Sequence, residues 1–381
     1  MDEPRRIAFV VPYFDEREAQ AVAEAVRSRE VQATGAIGQR CEKKLREMTG
    51  AAHCLLTTSG TSALELALMA LEVGPGDEVI VPSFTFVSTA NAVIQRGARP
   101  VFAEVREETL NIDPEDVRRK LTRSTRGVIP VHYAGVGCEM DAIMEIAGSR
   151  KLFVLEDAAQ GVDAWYKGRA LGAIGTAGCL SFHHTKNITC GEGGALLTSD
   201  ERLWRRAEIM REKGTNRSAF LRGEIDKYTW VDRGSSYVLS DILAAVLEEQ
   251  IGKREEIRQR RKAIYGVYET ELGPLGESGK IILPVVPAEC TPNYHIYWFR
   301  TLSGEARDGC LRALKERGVQ ATFHYVPLHS SPFARERFGL EKDELPVTER
   351  VAETLVRLPI HPLMSADDAR YVVRAVKEFF E

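Results

Sequence analysis

Two segments of the chain hold residues whose types and spacing could perform chemistry together. Asp157 ends an apolar, strand-like run at 153–155, and Lys186 lies between two further strand-like runs at 177–180 and 195–197. Removal of a lysine from water lowers its pKa, and the neutral amine is the form that attacks a carbonyl carbon. The two residues are 29 positions apart, which is about the length of one strand–loop–strand unit.

A lysine that binds an aldehyde and a carboxylate that keeps a pyridine nitrogen protonated are the minimal apparatus of pyridoxal phosphate chemistry. Each residue also has a simpler interpretation. Asp157 could be the N-cap of a following helix, because Asp suits that position. Lys186 could be an ordinary lysine in a surface hairpin. Only their joint occurrence favours the cofactor.

A third segment could bind an anion. Residues 58–62 read Thr-Ser-Gly-Thr-Ser and open a helical stretch that runs to Leu71. Hydroxyl groups and free amides at a helix N-terminus suit a phosphate group, although simple N-capping uses the same residue types. The glycines of 191–194, which follow Lys186, would let the backbone approach a flat ligand closely.

The elements that must position these residues follow an alternating pattern. Short β-branched runs lie at residues 79–81, 100–102, 128–131 and 153–155, separated by helical stretches such as 61–71 and 139–147. This alternation predicts a mainly parallel sheet covered on both faces. The later chain predicts an amphipathic linker helix at 243–262, a strand at 294–301, a helix at 306–317, a strand at 321–326 and two closing helices. We therefore expect a large α/β domain at 1–250 and a smaller α+β domain at 251–381.

Composition and missing motifs exclude several classes of protein. The 381 residues carry a net charge of −4, so no general basic field suggests nucleic acid or a membrane surface. No apolar run approaches the roughly 20 residues that cross a bilayer. Seven scattered cysteines predict reduced thiols in a cytoplasmic protein, and no cluster predicts a metal. The P-loop, the dinucleotide fingerprint, G-x-S-x-G and H-E-x-x-H are all absent.

These residues carry a resemblance to a known family. The matching segments are 58–62, 74–79, 82–86, 131–135, 156–160, 181–194 and 327–329. The chain resembles the pyridoxal phosphate-dependent nucleotide-sugar aminotransferases of the DegT/DnrJ/StrS type over almost its whole length. The resemblance implies the aspartate-aminotransferase-like fold (fold type I), with a large, mixed but mainly parallel sheet and a smaller α+β C-terminal domain.

The resemblance also assigns roles around the cofactor ring. Lys186 would bind the cofactor covalently and later move a proton during catalysis. Asp157 would pair with the ring nitrogen, Gln160 would lie near the phenolic oxygen, and Phe86 would stack on the ring. From the residue types alone, an aromatic after a strand is more often part of the core.

Further roles concern the phosphate and the substrate. Gly60, Thr61 and Ser181 would hold the cofactor phosphate. Tyr325 and His329 would face the sugar, although a strand that contains His and Tyr can equally be a half-buried sheet edge. No residue is expected to bind a metal.

The resemblance extends to the substrates and the assembly. Segments 211–218, 226–230 and 234–237 are most similar to members that transfer an amino group from glutamate to C4 of dTDP-4-keto-6-deoxyglucose. The product would be dTDP-4-amino-4,6-dideoxyhexose, in its galacto or gluco form, with 2-oxoglutarate. The alternative is a 3-aminotransferase acting on a 3-keto sugar. A homodimer with a shared active site is implied, although Val238 replaces the Asn or Arg with which many relatives reach the partner's cofactor phosphate.

Three rival functions remain to be weighed against this one. Sugar 3-dehydratases of the same family replace the lysine by histidine, so Lys186 counts against that activity despite His183 and His184. A nicotinamide oxidoreductase would need a glycine-rich turn that the chain lacks. A regulator that kept the fold would normally add a basic DNA-binding domain, for which the chain has no spare length or charge.

Overall fold

A computed structural model describes residues 5–29 and 31–380. The first seven helices are α1 (Glu16–Ser28), α2 (Ala36–Thr49), α3 (Gly60–Ala70), α4 (Val87–Ile94), α5 (Pro114–Lys120), α6 (Met140–Arg150) and α7 (Glu201–Arg211). The later helices are α8 (Arg217–Leu221), α9 (Asp241–Gly252), α10 (Arg254–Glu277), α11 (Gly304–Glu316), α12 (Pro332–Phe338), α13 (Pro346–Thr354) and α14 (Ala366–Phe380). Single turns of 3-10 helix lie at Tyr133–Gly135 and Lys342–Glu344.

The strands form three sheets. The large sheet contains β1 (His53–Thr57), β2 (Glu78–Pro82), β3 (Arg99–Ala103), β4 (Thr125–Val128), β5 (Phe153–Asp157), β8 (Ala177–Ser181) and β9 (Gly194–Thr198). A small sheet contains β6 (Trp165–Tyr166), β7 (Arg169–Ala170) and β10 (Cys290–Thr291). The third sheet pairs β11 (Tyr297–Arg300) with β12 (Leu355–Leu358).

The large sheet is mixed but mainly parallel, in the order β1-β9-β8-β5-β4-β2-β3. Only β9 runs against its neighbours β1 and β8, while β8, β5, β4, β2 and β3 are parallel. All strands except β9 therefore end at the same edge of the sheet, where open α/β sheets bind their ligands. This arrangement confirms the predicted α/β class and its mainly parallel sheet.

Helix α3 shows how the sequence builds the layer above this edge. Six of its eleven residues are Ala or Leu, which form helices well and allow most of the helix to be buried. Ser59 caps the helix, because its hydroxyl accepts a hydrogen bond from the backbone of Ser62 at 3.0 Å. The helix is packed against β8, β9, α4 and α7, so its N-terminus is held at the strand ends.

A second core surrounds the β11–β12 sheet. Tyr268, Phe299, Val356 and Val373 are buried there, and Ile7 from the start of the chain joins them. The segment predicted as one linker helix is two helices, with a break at Lys253 between α9 and α10. The domain boundary at 250 remains a prediction.

The strand predicted at 321–326 does not form. Only Thr322 makes a ladder contact, as an isolated bridge to Arg357. The rings of His324 and Tyr325 stack with their centroids 3.4 Å apart, whereas consecutive side chains of a strand point to opposite faces. In the part of the chain that the structure describes, no helix has the length and apolarity needed to cross a membrane.

Candidate active site

One cavity of about 510 Å³ opens at the carboxyl edge of the large sheet. It lies between that edge and residues of the C-terminal part of the chain. Eight of the nine residues singled out from the sequence line it: Gly60, Thr61, Phe86, Asp157, Gln160, Ser181, Lys186 and Tyr325. Strand ends and a helix N-terminus that are distant in the sequence therefore meet at one place.

Asp157 is the last residue of β5 and is buried beneath the cavity. The hydroxyl of Thr89 donates to its Oδ2 at 2.8 Å, and the backbone N–H of Ala159 donates to its Oδ1 at 3.2 Å. Burial raises the pKa of this carboxyl above its usual value, while these two hydrogen bonds oppose the increase. A cationic group bound opposite Asp157 would stabilise its charged form.

Lys186 lies in the turn that follows β8 and is fixed there by a backbone hydrogen bond to His183 of 2.8 Å. The surrounding protein lowers the pKa of its amine to about 8, against the opposing effect of the Asp157 charge. Near physiological pH the charged form still predominates, but a far larger share of this amine is neutral than of an ordinary lysine. An amine in this state can attack an aldehyde.

Gln160 connects the sheet edge with the C-terminal part of the chain. Its Oε1 accepts from the backbone N–H of Ala134 at 2.7 Å, and its Nε2 donates to the hydroxyl of Tyr325 at 3.1 Å. The Tyr325 hydroxyl is thus an acceptor for Gln160 and keeps its own proton for another partner. Burial raises the pKa of Tyr325, so this proton is retained.

The N-terminus of α3 forms one end of the cavity beside Ser181. A Cβ atom added at Gly60 would lie 2.9 Å from the Ser181 Cβ, so the helix start and the end of β8 are in closest contact there. The first N–H groups of a helix have no partner within the helix, which suits them to an anion. The Thr61 hydroxyl, 2.7 Å from that of Ser88, adds polar character.

One of the glycines after Lys186, Gly194, makes a close approach within the protein itself. Gly194 does not line the cavity, and a Cβ there would lie 2.3 Å from the backbone of Ser59. This glycine allows β9 to approach the start of α3. The close approach at this glycine is between a strand and a helix.

Phe86 and His329 occupy contrasting positions. Phe86 precedes α4 and is 59% exposed, with its ring at the cavity wall. The structure does not bring His329 to the cavity, because the ring is buried with Nδ1 2.7 Å from the Ser83 hydroxyl and Nε2 3.2 Å from the Lys342 carbonyl. With both nitrogens engaged, His329 holds its own segment against the end of β2.

Several cavity residues were missed from the sequence, chiefly His295, His324 and Arg357. Asn187 donates through Nδ2 to a carbonyl, so its Oδ1 faces His295 Nδ1 at 2.9 Å and requires a proton on that nitrogen. Burial lowers the pKa of both histidines well below the usual value, and they are therefore neutral. A lone charged residue in the apolar strand Leu355–Leu358 was the one available signal for Arg357.

Fold and site together define a class of protein. A half-buried lysine with a lowered pKa, a buried carboxylate and a helix N-terminus meet at the carboxyl edge of a mixed α/β sheet. These groups fit an aldehyde, a ring nitrogen and a phosphate, which are the three binding points of pyridoxal phosphate. The arrangement is that of a fold-type I enzyme dependent on this cofactor.

Comparison with known proteins gives the family. Residues 12–377 match the DegT/DnrJ/EryC1/StrS aminotransferase family, and the chain belongs to that family. It is 35% identical over 379 residues to the spore coat polysaccharide biosynthesis protein SpsC of Bacillus subtilis, covering 98% of this chain and 96% of SpsC. The protein is therefore a pyridoxal phosphate-dependent aminotransferase.

Solved structures agree with this assignment. DesV of S. venezuelae superimposes with a TM-score of 0.90 at 33% identity, covering 99% of each chain. The sugar aminotransferase Spr1654 of Streptococcus pneumoniae, described as putative, has been solved in its PLP form, with a TM-score of 0.91 at 25% identity, covering 99% of each chain. The resemblance seen in the sequence is thereby confirmed at the level of family, fold and cofactor.

Proposed function

We propose that this aminotransferase transfers the amino group of L-glutamate to C4 of dTDP-4-keto-6-deoxyglucose. The products would be 2-oxoglutarate and a dTDP-4-amino-4,6-dideoxyhexose. The observation that carries the transamination is the joint placement of Lys186 and Asp157 in one cavity. The choice of sugar is supported by the resemblance at 211–218, 226–230 and 234–237, and by the polysaccharide pathway named for SpsC.

The cavity residues divide the binding of the cofactor among them. Lys186 would hold it covalently, and Asp157 would keep a proton on the ring nitrogen. Gly60, Thr61 and Ser181 would bind the phosphate, and Phe86 would cover one face of the ring. Gln160 would lie near the phenolic oxygen, where its contact with Tyr325 fixes its orientation.

Bound pyridoxal phosphate supplies an electron sink that makes the Cα proton of an amino acid removable. Lys186 would act as the base for that proton, a role for which its lowered pKa suits it. The buried Asp157 would lie opposite the ring nitrogen and keep it protonated. Tyr325 and the neutral His295 offer one donor and one acceptor to the sugar hydroxyl groups.

The test is a product assay with a stereochemical readout. The protein loaded with pyridoxal phosphate is incubated with L-glutamate and dTDP-4-keto-6-deoxyglucose, and the H-4 couplings of the product are read by proton NMR. Two large couplings identify the gluco amine, and one small H-3/H-4 coupling identifies the galacto amine. If no aminated sugar forms although the cofactor is bound, the C4 assignment is wrong, and 3-keto sugars are tested next.

A second measurement tests the role of Lys186. Borohydride should attach the cofactor permanently to the wild-type chain, with a peptide mass that places it at Lys186. Lys186→Ala should abolish both this attachment and the product. Lys167→Ala is the matched control, because Lys167 is exposed and pairs with Asp141, far from the chemistry. Attachment that persists in Lys186→Ala would exclude Lys186 as the binding residue.

A further inference from the structure

Asn187 directly follows Lys186 in the chain, but its side chain does not line the cavity. Its Nδ2 donates to the backbone carbonyl of Asn293 at 2.9 Å, and its Oδ1 lies 2.9 Å from Nδ1 of the His295 ring. A carbonyl can only accept a hydrogen bond, so this contact fixes which end of the amide faces the ring. Nδ1 of His295 must therefore carry a proton.

The segment that carries His295 is held by several hydrogen bonds around this contact. Asn293 donates through Nδ2 to the carbonyl of Gln160 at 2.8 Å, and its Oδ1 accepts from the backbone N–H of His295 at 3.1 Å. From α10, Arg261 donates to the carbonyls of Tyr294 and His295 at 2.9 and 2.5 Å. The backbone of His295 is thus fixed relative to the sheet edge and to the turn after β8.

The other ring nitrogen of His295, Nε2, is left as an acceptor. Burial lowers the pKa of this histidine well below its usual value, and the positive charges of Lys186, Arg261 and Arg357 add to the effect. The ring is therefore neutral, with its one proton on Nδ1. Across residues 5–29 and 31–380, no group donates a hydrogen bond to Nε2, and the atom remains accessible at the cavity that His295 lines.

A bare ring nitrogen distinguishes the two substrates that must use this cavity in turn. It can accept a hydrogen bond but cannot donate one, so it offers nothing to a carboxylate, whose oxygens are also acceptors. Glutamate carries two carboxylates, and its only donor is the amino group that is transferred. A keto sugar instead carries hydroxyl groups, each of which can donate a hydrogen bond. The Nε2 of His295 therefore suits the sugar and not the amino acid.

We propose that Asn187 is a positioning residue, which holds His295 in the tautomer whose Nε2 accepts a hydrogen bond from a hydroxyl group of the keto sugar. Asn187 and Lys186 are consecutive, so the acceptor that orients the sugar and the amine that acts as the base are held by the same turn. The contact fixes the keto carbon relative to Lys186. This inference rests on the proposed transamination of a keto sugar but not on which sugar carbon receives the nitrogen.

The first test reads the tautomer directly, without any substrate. Histidine labelled at its ring nitrogens is incorporated into the protein, and nitrogen NMR shows which nitrogen carries the proton. The signals of His295 are those that are missing in His295→Asn. In the wild type at neutral pH, Nδ1 should be protonated and Nε2 bare. Asn187→Leu, which removes the acceptor at similar volume, should move the proton wholly or partly to Nε2.

The second test separates the two half-reactions of the protein loaded with pyridoxal phosphate. Loss of its visible absorbance with L-glutamate gives an apparent Kd for the donor, and return of the absorbance when the amino form meets the keto sugar gives one for the sugar. Asn187→Leu and His295→Asn should each raise the apparent Kd for the sugar roughly 10-fold, because one buried hydrogen bond is lost. The apparent Kd for glutamate should not change.

Two controls exclude a merely structural effect. His295→Asn keeps an amide that can still donate to Asn187 and removes only the outer part of the ring, and its visible absorbance should match that of the wild type. His53→Asn makes the same replacement at a histidine outside the cavity, which stacks on Trp204 with centroids 4.4 Å apart and pairs with Glu201 at 2.8 Å. It should leave both apparent Kd values unchanged.

Each contrary result has a defined meaning. A proton on Nε2 of His295 in the wild type overturns the proposal, and so does an unchanged apparent Kd for the sugar in His295→Asn. Equal weakening of glutamate and sugar binding overturns it in favour of a structural role for Asn187 and His295. A wild-type protein that reacts with glutamate but aminates no 4-keto sugar refutes the proposed C4 substrate alone, and the comparison is then made with the 3-keto sugar.

Discussion

At the scale of single residues, the chemistry depends on the protonation of Lys186. The pKa of about 8 in the folded protein is below the ordinary value of 10.5. Between these two pH values the amine is neutral in the folded protein and charged in the unfolded chain. Because the unfolded state then binds more protons, this residue makes the free energy of unfolding increase as pH rises from about 8 to 10.5.

The same shift predicts how the protein takes up its cofactor. The rate at which apoprotein incorporates pyridoxal phosphate can be followed by visible absorbance. It should rise with pH along a titration curve whose midpoint is near 8, because only the neutral amine attacks the aldehyde. Asp157→Asn should move the midpoint to lower pH, since the Asp157 charge raises the lysine pKa. Asp141→Asn changes an exposed carboxylate paired with Lys167 and should have no effect. A midpoint above pH 10 would contradict the lowered pKa.

Sequence reasoning found the residues with local signals and missed those without. Asp157 closes one strand and Lys186 lies in the loop between two others, so their positions at the sheet edge follow from strand order. His295 and His324 come from the far end of the chain and reach the cavity only through tertiary packing. The resemblance assigns His329, which has the same residue type, to the sugar. Its ring nitrogens instead contact the Ser83 hydroxyl and the Lys342 carbonyl. Residue type alone does not distinguish these histidines.

At the scale of elements, the site depends on how closely β9 approaches the start of α3. Gly194→Ala would place a methyl group against the backbone of Ser59 and Gly60, which cannot move aside as a flexible side chain can. We expect a loss of about 1–3 kcal/mol in the free energy of unfolding. Because the start of α3 would be displaced, the affinity for pyridoxal phosphate should also fall. Urea unfolding and cofactor titration measure the two effects.

The matched substitution for this prediction is Gly266→Ala. Gly266 lies inside α10, and no atom is within 4 Å of a Cβ added there. Alanine in a helix interior is favoured over glycine by about 0.5–1 kcal/mol, so this variant should be slightly more stable with unchanged cofactor affinity. Equal behaviour of the two variants would show that the β9–α3 contact is unimportant.

The strand predicted at 321–326 does not form, because contacts between elements determine the conformation there. The alternation of residue types there is strand-like, but a strand would point His324 and Tyr325 to opposite faces. In the structure both rings are at the cavity, and Tyr325 binds Gln160 at 3.1 Å. Tertiary contacts at the site therefore override a local β preference.

At the scale of the whole molecule, buried polar contacts hold the C-terminal part of the chain against the large sheet. The carboxylate of Glu104, which follows β3, accepts from the backbone N–H groups of Val347 and Thr348 at 2.9 and 2.8 Å. This anion at the N-terminus of α13 is in the position that helix ends favour. The part of the chain that carries Arg357 and Tyr325 is thus fixed relative to the sheet that carries Lys186.

The remaining feature at this scale is an exposed apolar segment at 220–231. Trp230 is 78% exposed and Leu221 is 61% exposed, and Tyr228 and Val231 are also exposed. Exposed apolar residues grouped in this way indicate a surface that another molecule covers. We propose that the partner is a second copy of the chain, in line with the dimer that the resemblance implies. The wild-type protein should therefore sediment at twice the 42.4 kDa of one chain.

Substitution within this segment tests the dimer. Trp230→Glu should shift the sedimentation equilibrium towards the monomer, because a charge would have to be desolvated in the interface. Leu302→Glu changes a residue that is 66% exposed but lies outside this segment, and it should leave the mass of the assembly unchanged. Since a shared active site would lose its second half, Trp230→Glu should also lose aminotransferase activity at low protein concentration and regain it at high concentration. A wild-type protein that sediments as a monomer while fully active would show that each chain has a complete site of its own.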